Sequence, residues 1–223
     1  MAAKVYVRHA TEDELTKLAD IGSLAFKHNP QSELVFPERL RVKPGNQDEI
    51  EFRVGRWKKL LPEPTSHFLT AVEAKPDGTE ELIGMALWTS PPEPGKEPTE
   101  EEKEKKKKEA SNLPPFVDRE AVTKLRESMQ NWETSLLGEE GTKNYWVLQA
   151  IAVHPGHQRK GAGRMLVQWG IDEATKNGLD VWLIATPDGR KLYTSMDFEY
   201  IAERVELGEI QTAMKKKLQA AQE

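Results

Sequence analysis

The sequence predicts a single α/β domain, and three observations carry that expectation. Short apolar runs of strand length alternate with stretches of helical periodicity, in the order β-α-α-β-β-α-β-α-β-α-β. No internal repeat interrupts the order, and no second domain declares itself. The length of 223 residues suits one substantial domain, and a 37% hydrophobic content leaves enough Leu, Ile, Val, Phe and Trp to bury a core. Wholesale disorder is therefore excluded. The formal net charge of -5 argues against a general nucleic-acid binder, which needs a basic face to neutralise phosphates. Without cysteine the chain has no disulfide scaffold, thiolate nucleophile or sulfur-based zinc site, and no metal is expected. No apolar run approaches the ~18 to 20 residues of a membrane span, and the start Met1-Ala2-Ala3-Lys4-Val5-Tyr6-Val7 lacks the apolar stretch of a signal peptide. The expectation is a cytoplasmic protein with no membrane partner.

The elements follow in chain order. Val5-Tyr6-Val7-Arg8 alternates like a strand, and Thr11 to Glu14 has the spacing of a capping box, so a helix starts there. That helix runs through Leu15, Leu18, Ala19 and Leu24 until Pro30 forbids its continuation, and residues 31–47 read as an irregular loop. Ile50, Phe52, Val54, Trp57 and Leu60 mark a second helix, closed by Pro62 and Pro64. The apolar runs His67 to Ala74 and Glu81 to Trp88 flank Lys75-Pro76-Asp77-Gly78, which reads as the turn of an antiparallel hairpin. A charged, proline-rich insertion follows at about residues 91–115. Within it Glu100 to Glu109 holds five Glu and five Lys, whose charges cancel, so it is a solvated linker or an exposed helix. Helical spacing returns from Phe116 to Leu137, and Tyr145 to Val153 is a strand. A glycine-rich turn leads into an amphipathic helix ending at Asn177-Gly178. Asp180 to Ala185 is a short strand, Arg190 to Met196 a helix, and Tyr200 to Leu207 the last strand before a Lys-rich tail.

The chemistry concentrates where the Tyr145 to Val153 strand meets Gln158-Arg159-Lys160-Gly161-Ala162-Gly163. Glycines at a strand-to-helix junction let backbone amides approach a ligand, and the helix start adds partial positive charge. Arg159, Lys160 and Arg164 add full charges, so phosphate or pyrophosphate binding is implied. A dinucleotide fingerprint fails because Leu166 stands where a third small residue is needed, and a Walker loop fails for want of Gly-Lys followed by Ser or Thr. The segment instead resembles the acetyl-CoA signature [QR]-x-x-G-x-[GA] of the GNAT superfamily of N-acetyltransferases. Gln158, Gly161 and Gly163 fit it, preceded by Ile151-Ala152-Val153-His154-Pro155. Element order extends the likeness from Val5 to about Leu207, and Phe198 falls where the family has a Gly-Phe pair, with Asp197 replacing the glycine. Asp tolerates left-handed geometry.

The resemblance implies a mixed, mostly antiparallel central sheet flanked by helices, with acetyl-CoA as cosubstrate. It further implies that backbone groups of Ile151, Ala152 and Val153 hold the pantetheine arm as a pseudo-strand, and that Gln158, Arg159, Lys160, Gly161, Ala162, Gly163 and Arg164 hold the pyrophosphate. Tyr193 falls where many members place a tyrosine near the thioester sulfur, a candidate acid for the departing thiolate. A general base does not emerge. The fourth-strand positions that carry one in relatives correspond to Val147 and Gln149, which accept no proton at neutral pH. His154 reads as structural and His157 as a surface residue, while His67, His28 and Glu33 lie near the acceptor elements without one standing out. A water chain, or an amine of low pKa, would serve instead. The expected activity is transfer of acetyl from acetyl-CoA to a primary amine of a small molecule, by direct attack in a ternary complex. The alternatives are a protein acetyltransferase acting on histone tails or N-termini, and a catalytically silent CoA-binding regulatory module.

Overall fold

The computed structural model describes residues 4–93, 95 and 99–218. Its strands are β1 (Lys4–His9), β2 (Ser66–Ala74), β3 (Glu80–Thr89), β4 (Tyr145–Val153), β5 (Asp180–Ala185), β6 (Glu199–Glu206) and β7 (Glu209–Lys216). They form one sheet in the order β1-β2-β3-β4-β5-β7-β6. Every pairing is antiparallel except β4 with β5. The helices are α1 (Leu15–Ala25), α2 (Pro30–Val35), α3 (Gln47–Leu60), α4 (Glu100–Ser111), α5 (Arg119–Leu137), α6 (Ala162–Lys176) and α7 (Pro187–Thr194). The expected α/β class with a mostly antiparallel sheet is what forms.

Local chemistry starts the chain as expected. Thr11 and Glu14 close a capping box ahead of α1, and Arg8 fixes the Glu14 carboxylate from β1 at 2.9 Å and 2.5 Å. Alternation along the strands then sorts side chains to two faces. On one face Leu69, Ala71, Ala86, Trp88, Leu148 and Leu183 pack under α6 and α7. On the other, Phe68, Met85 and Leu87 meet Leu15, Leu18 and Ile21 of α1 and Trp57 of α3. Farther along that second face, Val147, Trp182 and Ala213 are covered by Trp132 of α5. Gly170 brings α6 unusually close to the sheet, since a Cβ built there would lie 2.2 Å from Cε2 of Trp88.

Two readings of the sequence need correction. The Lys-rich tail is a seventh strand: β7 inserts between β5 and β6, with Thr212 and Ala213 fully buried. Residues 31–47 are not wholly irregular. Pro30 ends α1's reach but also begins α2, whose N-cap Asn29 accepts hydrogen bonds from Gln31 N at 2.8 Å and Ser32 N at 3.4 Å. Of the two forms expected for the charged run, the exposed helix is present as α4, braced by a Lys103–Glu100 ion pair at 2.6 Å. Residues 94 and 96–98 of the expected insertion lie outside the described residues. No described helix is long and apolar enough to cross a membrane.

Candidate active site

One extra residue in β4 creates the site. Trp88 pairs with Leu148 and Leu87 with Ala150, so Gln149 has no partner on β3 and forms a bulge. Side-chain parity reverses across it. Trp146 and Leu148 pack toward α6 before the bulge, whereas Ile151 and Val153 do so after it and Ala150 and Ala152 turn to the α1 and α3 face. The parallel ladder with β5 runs from Tyr145↔Asp180 to Leu148↔Leu183 and ends there. Beyond it the two strands carry no mutual pairs, which opens a slot through the sheet lined on one side by the backbone of Gln149 to Val153. Backbone groups on such an edge need partners, and an extended ligand supplies them.

The turn after β4 is built from short-range contacts. His154 accepts a hydrogen bond from Gly156 N at 3.2 Å, and Gln158 Nε2 donates to Val153 O at 3.2 Å. Arg159 and Gly161 take left-handed φ of 64° and 95°, which turns the chain into α6. Gly163 lies against α7, where a Cβ would stand 3.3 Å from Leu192 Cδ2. Of the three cations, Arg164 donates to Ser195 O at 2.8 Å and Oγ at 3.2 Å, clamping α6 to α7, and Lys160 Nζ donates to Gly156 O at 3.2 Å. Ala162 is buried. Gln158, Arg159, Gly161, Gly163 and Arg164 all line the mouth of a cleft of about 1520 Å³. The same cleft reaches Ile151, Ala152, Val153 and Tyr193, so the turn, the strand and the tyrosine singled out in the sequence share one cavity.

Tyr193 enters from the α7 layer, 4% exposed, with its ring 5.7 Å from that of Phe198 and packed against Gly189. Burial pushes its phenol well above the ordinary range, so it stays protonated and able to donate. Asp197, with φ of 61°, does hold the left-handed position ahead of Phe198. From the opposite layer α5 contributes Glu133, which accepts a hydrogen bond from Trp182 Nε1 at 3.2 Å. Burial raises the Glu133 carboxyl above its usual value, a shift that the Trp182 bond only partly opposes. A second acid in the cleft wall, Glu209, is likewise raised by burial, but amides of Asn29 at 2.7 Å and Gln211 at 2.9 Å already donate to it. The cleft thus has a protonated phenol on one side of the sheet and a carboxyl of raised pKa on the other.

The other sequence candidates scatter. Val147 is buried beneath Trp132, while the bulge exposes Gln149 to the cleft. His28 lines the cleft, whereas His67 stacks on Trp146 at 4.7 Å in the layer beneath α6. His157 is not a surface residue; its half-buried ring sits 3.5 Å from both Glu73 and Glu81. Glu133 is not among the sequence candidates, although a signal for it exists. It follows Met129 by four residues, on the helix face that also brings Val122 and Leu125 to the cleft.

Comparisons with known proteins agree with this fold. A family profile described as the acetyltransferase (GNAT) family matches residues 33–198. An acetyltransferase of Stachybotrys chartarum is 24% identical over 198 residues, covering 88% of this chain and 81% of that protein. A mosquito arylalkylamine N-acetyltransferase-like protein superposes with a TM-score of 0.61 at 14% identity, covering 96% of this chain and 100% of its own. A provisionally assigned acetyltransferase of Salmonella typhimurium, solved with its cofactor acetyl-CoA, gives a TM-score of 0.54 at 16% identity, with 96% and 94% covered.

Proposed function

The chain belongs to the acetyltransferase (GNAT) family, and from that premise we propose that it transfers acetyl from acetyl-CoA to a primary amine of a small molecule, by direct attack in a ternary complex. The observation that carries the reading is the slot between β4 and β5, reached from one side by the glycine turn and from the other by α5. Acetyl-CoA supplies the activated acyl group. The free backbone edge at Ile151, Ala152 and Val153 fits its pantetheine arm, and the amides of Gln158, Arg159, Lys160, Gly161, Ala162, Gly163 and Arg164 fit its pyrophosphate, with the Arg159 side chain adding charge. Arg164 holds the turn in place through Ser195.

Glu133 takes the proton that the amine must lose on attack, a role suited to a carboxyl whose proton affinity is raised by burial. The new C–N bond forms at the thioester carbonyl, the C–S bond breaks, and the electron pair leaves on sulfur. Tyr193 donates a hydrogen bond to that thiolate. A phenol ordinarily near ~10 is a weaker acid than a thiol near ~8.5, and burial widens the gap, so hydrogen bonding is the stabilising act. Walls from α2, α3 and α5 bound the acceptor side, which favours a small molecule over a long peptide. A cytoplasmic location belongs to the same reading, supported by the cysteine-free composition.

The test is thiol release from acetyl-CoA across a panel of amines, alongside calorimetry of CoA binding to the native chain and to Gly163→Val. Amine-dependent thiol release, with CoA binding lost in a folded Gly163→Val protein, is expected. Equal CoA affinity in both proteins would remove the site assignment, and CoA binding without transfer to any amine would leave a silent binding module.

A further inference from the structure

One charge in the acceptor half of the cleft is unaccounted for by acetyl transfer. Arg53 and Arg56 lie one turn apart on α3, and Arg126 faces them from α5; all three line the cleft. Arg53 is neutralised by Glu49, to which its Nε and Nη2 donate at 2.9 Å and 2.7 Å. Arg56 has no ion pair among the described residues. Its guanidinium lies over the Phe52 ring, 5.6 Å from the centroid. Arg56 is an exposed residue in the wall of that cleft. Desolvation, with repulsion from Arg126 and Arg53, pulls its pKa below the ordinary arginine value, yet a guanidinium remains cationic at neutral pH. A cation beside like charges attracts an anion, and the planar fork of arginine matches a carboxylate.

We propose that the acceptor is an amine bearing a carboxylate remote from its reactive nitrogen, and that Arg56, with Arg126 opposite, binds that carboxylate. The inference rests on the acetyl-transfer reading and adds the substrate class. Helix geometry sets the span. Arg126 and Glu133 are two turns apart on α5, about 10 Å along its axis, so an anion beside Arg126 is well separated from a nitrogen beside Glu133. Met129 lines the cleft between them. An extended ω-amino carboxylate fits this arrangement, and an α-amino acid, with its two groups on one carbon, does not.

The experiment measures kcat and KM for two matched series, glycine through 4-aminobutyrate and 6-aminohexanoate to 8-aminooctanoate, against alkylamines of equal length, with O-phosphoethanolamine as a phosphate arm. The native chain is expected to prefer the longer amino carboxylates to their alkylamine partners by at least about 10-fold in kcat/KM. In Arg56→Gln the KM of the carboxylates should rise roughly 10- to 100-fold, the range for one lost charged hydrogen-bonding partner. Alkylamine kinetics and the KM of acetyl-CoA should stay put, and Arg56→Lys should recover part of the preference. An equal loss for charged and uncharged amines in Arg56→Gln would mark Arg56 as structural and overturn the proposal. So would a native chain indifferent to the carboxylate, or one that favours the phosphate arm. If no amine of either series releases thiol while CoA still binds, the acetyl-transfer reading itself falls and takes this inference with it.

Discussion

Gly170→Ala probes the close approach of α6 to the sheet. The added Cβ would stand 2.2 Å, 2.3 Å and 2.5 Å from Cε2, Cζ2 and Cδ2 of Trp88, against a comfortable carbon separation of ~3.5 to 4.0 Å. Helix or indole must therefore move by more than about 1 Å. Neither moves freely, because Trp88 is fully buried and its Nε1 donates to Leu166 O at 3.2 Å. Overpacking of this kind costs about 1–3 kcal/mol, and a stranded indole donor adds about 1–3 kcal/mol. Alanine's higher helix propensity offsets about 1 kcal/mol, leaving a net loss of about 3 kcal/mol. For a chain of this length that is a fall in melting temperature of roughly 6–12 °C. Thermal melts followed by circular dichroism give the number, and a second substitution checks the cause. Trp88→Phe shrinks the ring, so the double variant should lose less than the sum of the two single changes. A Gly170→Ala protein that melts with the native chain would refute the contact.

Tyr193→Phe keeps the ring packed on Phe198 and removes only the donor; kcat should fall roughly 10- to 100-fold with CoA affinity and melting temperature nearly unchanged. A native turnover rate, measured where chemistry limits it, would reduce Tyr193 to a packing residue. Glu133→Gln can still accept the Trp182 bond but takes no proton, so kcat should drop about 10²- to 10⁴-fold and the acid limb of the native pH–rate curve should vanish. Persistence of that limb in Glu133→Gln would exclude it as the base. His67 is pushed below its ordinary pKa by burial and then by His9. The unfolded chain therefore takes up that proton first, so the stability His67 contributes is present above about pH 6.5 and declines as pH falls below it. Melts at pH 7.5 and 5.5 should show the decline, and His67→Phe should flatten it; an unchanged slope would place the acid sensitivity elsewhere.

The strand, turn and helix around Ile151 to Leu166 are legible in the sequence because their determinants are local. An apolar run, left-handed turn positions and an apolar helical stripe are each fixed by neighbouring residues. β7 is not legible, because its inward residues Gln211 and Thr212 are polar and its lysines find partners across the sheet: Lys215 reaches Asp180 at 3.1 Å and lies over Tyr145. Composition there suggests a solvated tail, and only pairing with β5 and β6 makes a strand of it. α2 is too short for periodicity to register, and its cap at Asn29 follows within a few residues of the end of α1. The donor half of the cleft follows from backbone shape and so from a motif. Glu133 and Arg56 sit on helices remote in sequence from that motif, and which of their faces meets the slot is decided by packing.

The bulge at Gln149 sets unequal limits on how this gene can drift. Changes of side chain at that codon leave the strand's count intact, so many residues should serve there. Losing the codon is another matter, since it would return β4 to a regular ladder in which Leu148 and Ala150 sit side by side opposite Trp88 and Leu87; every side chain would keep its face, but the bulge at which pairing with β5 ends would be gone. Length in this stretch is thus under tighter constraint than spelling, and relatives that keep the slot should vary at this position without gaining or losing it.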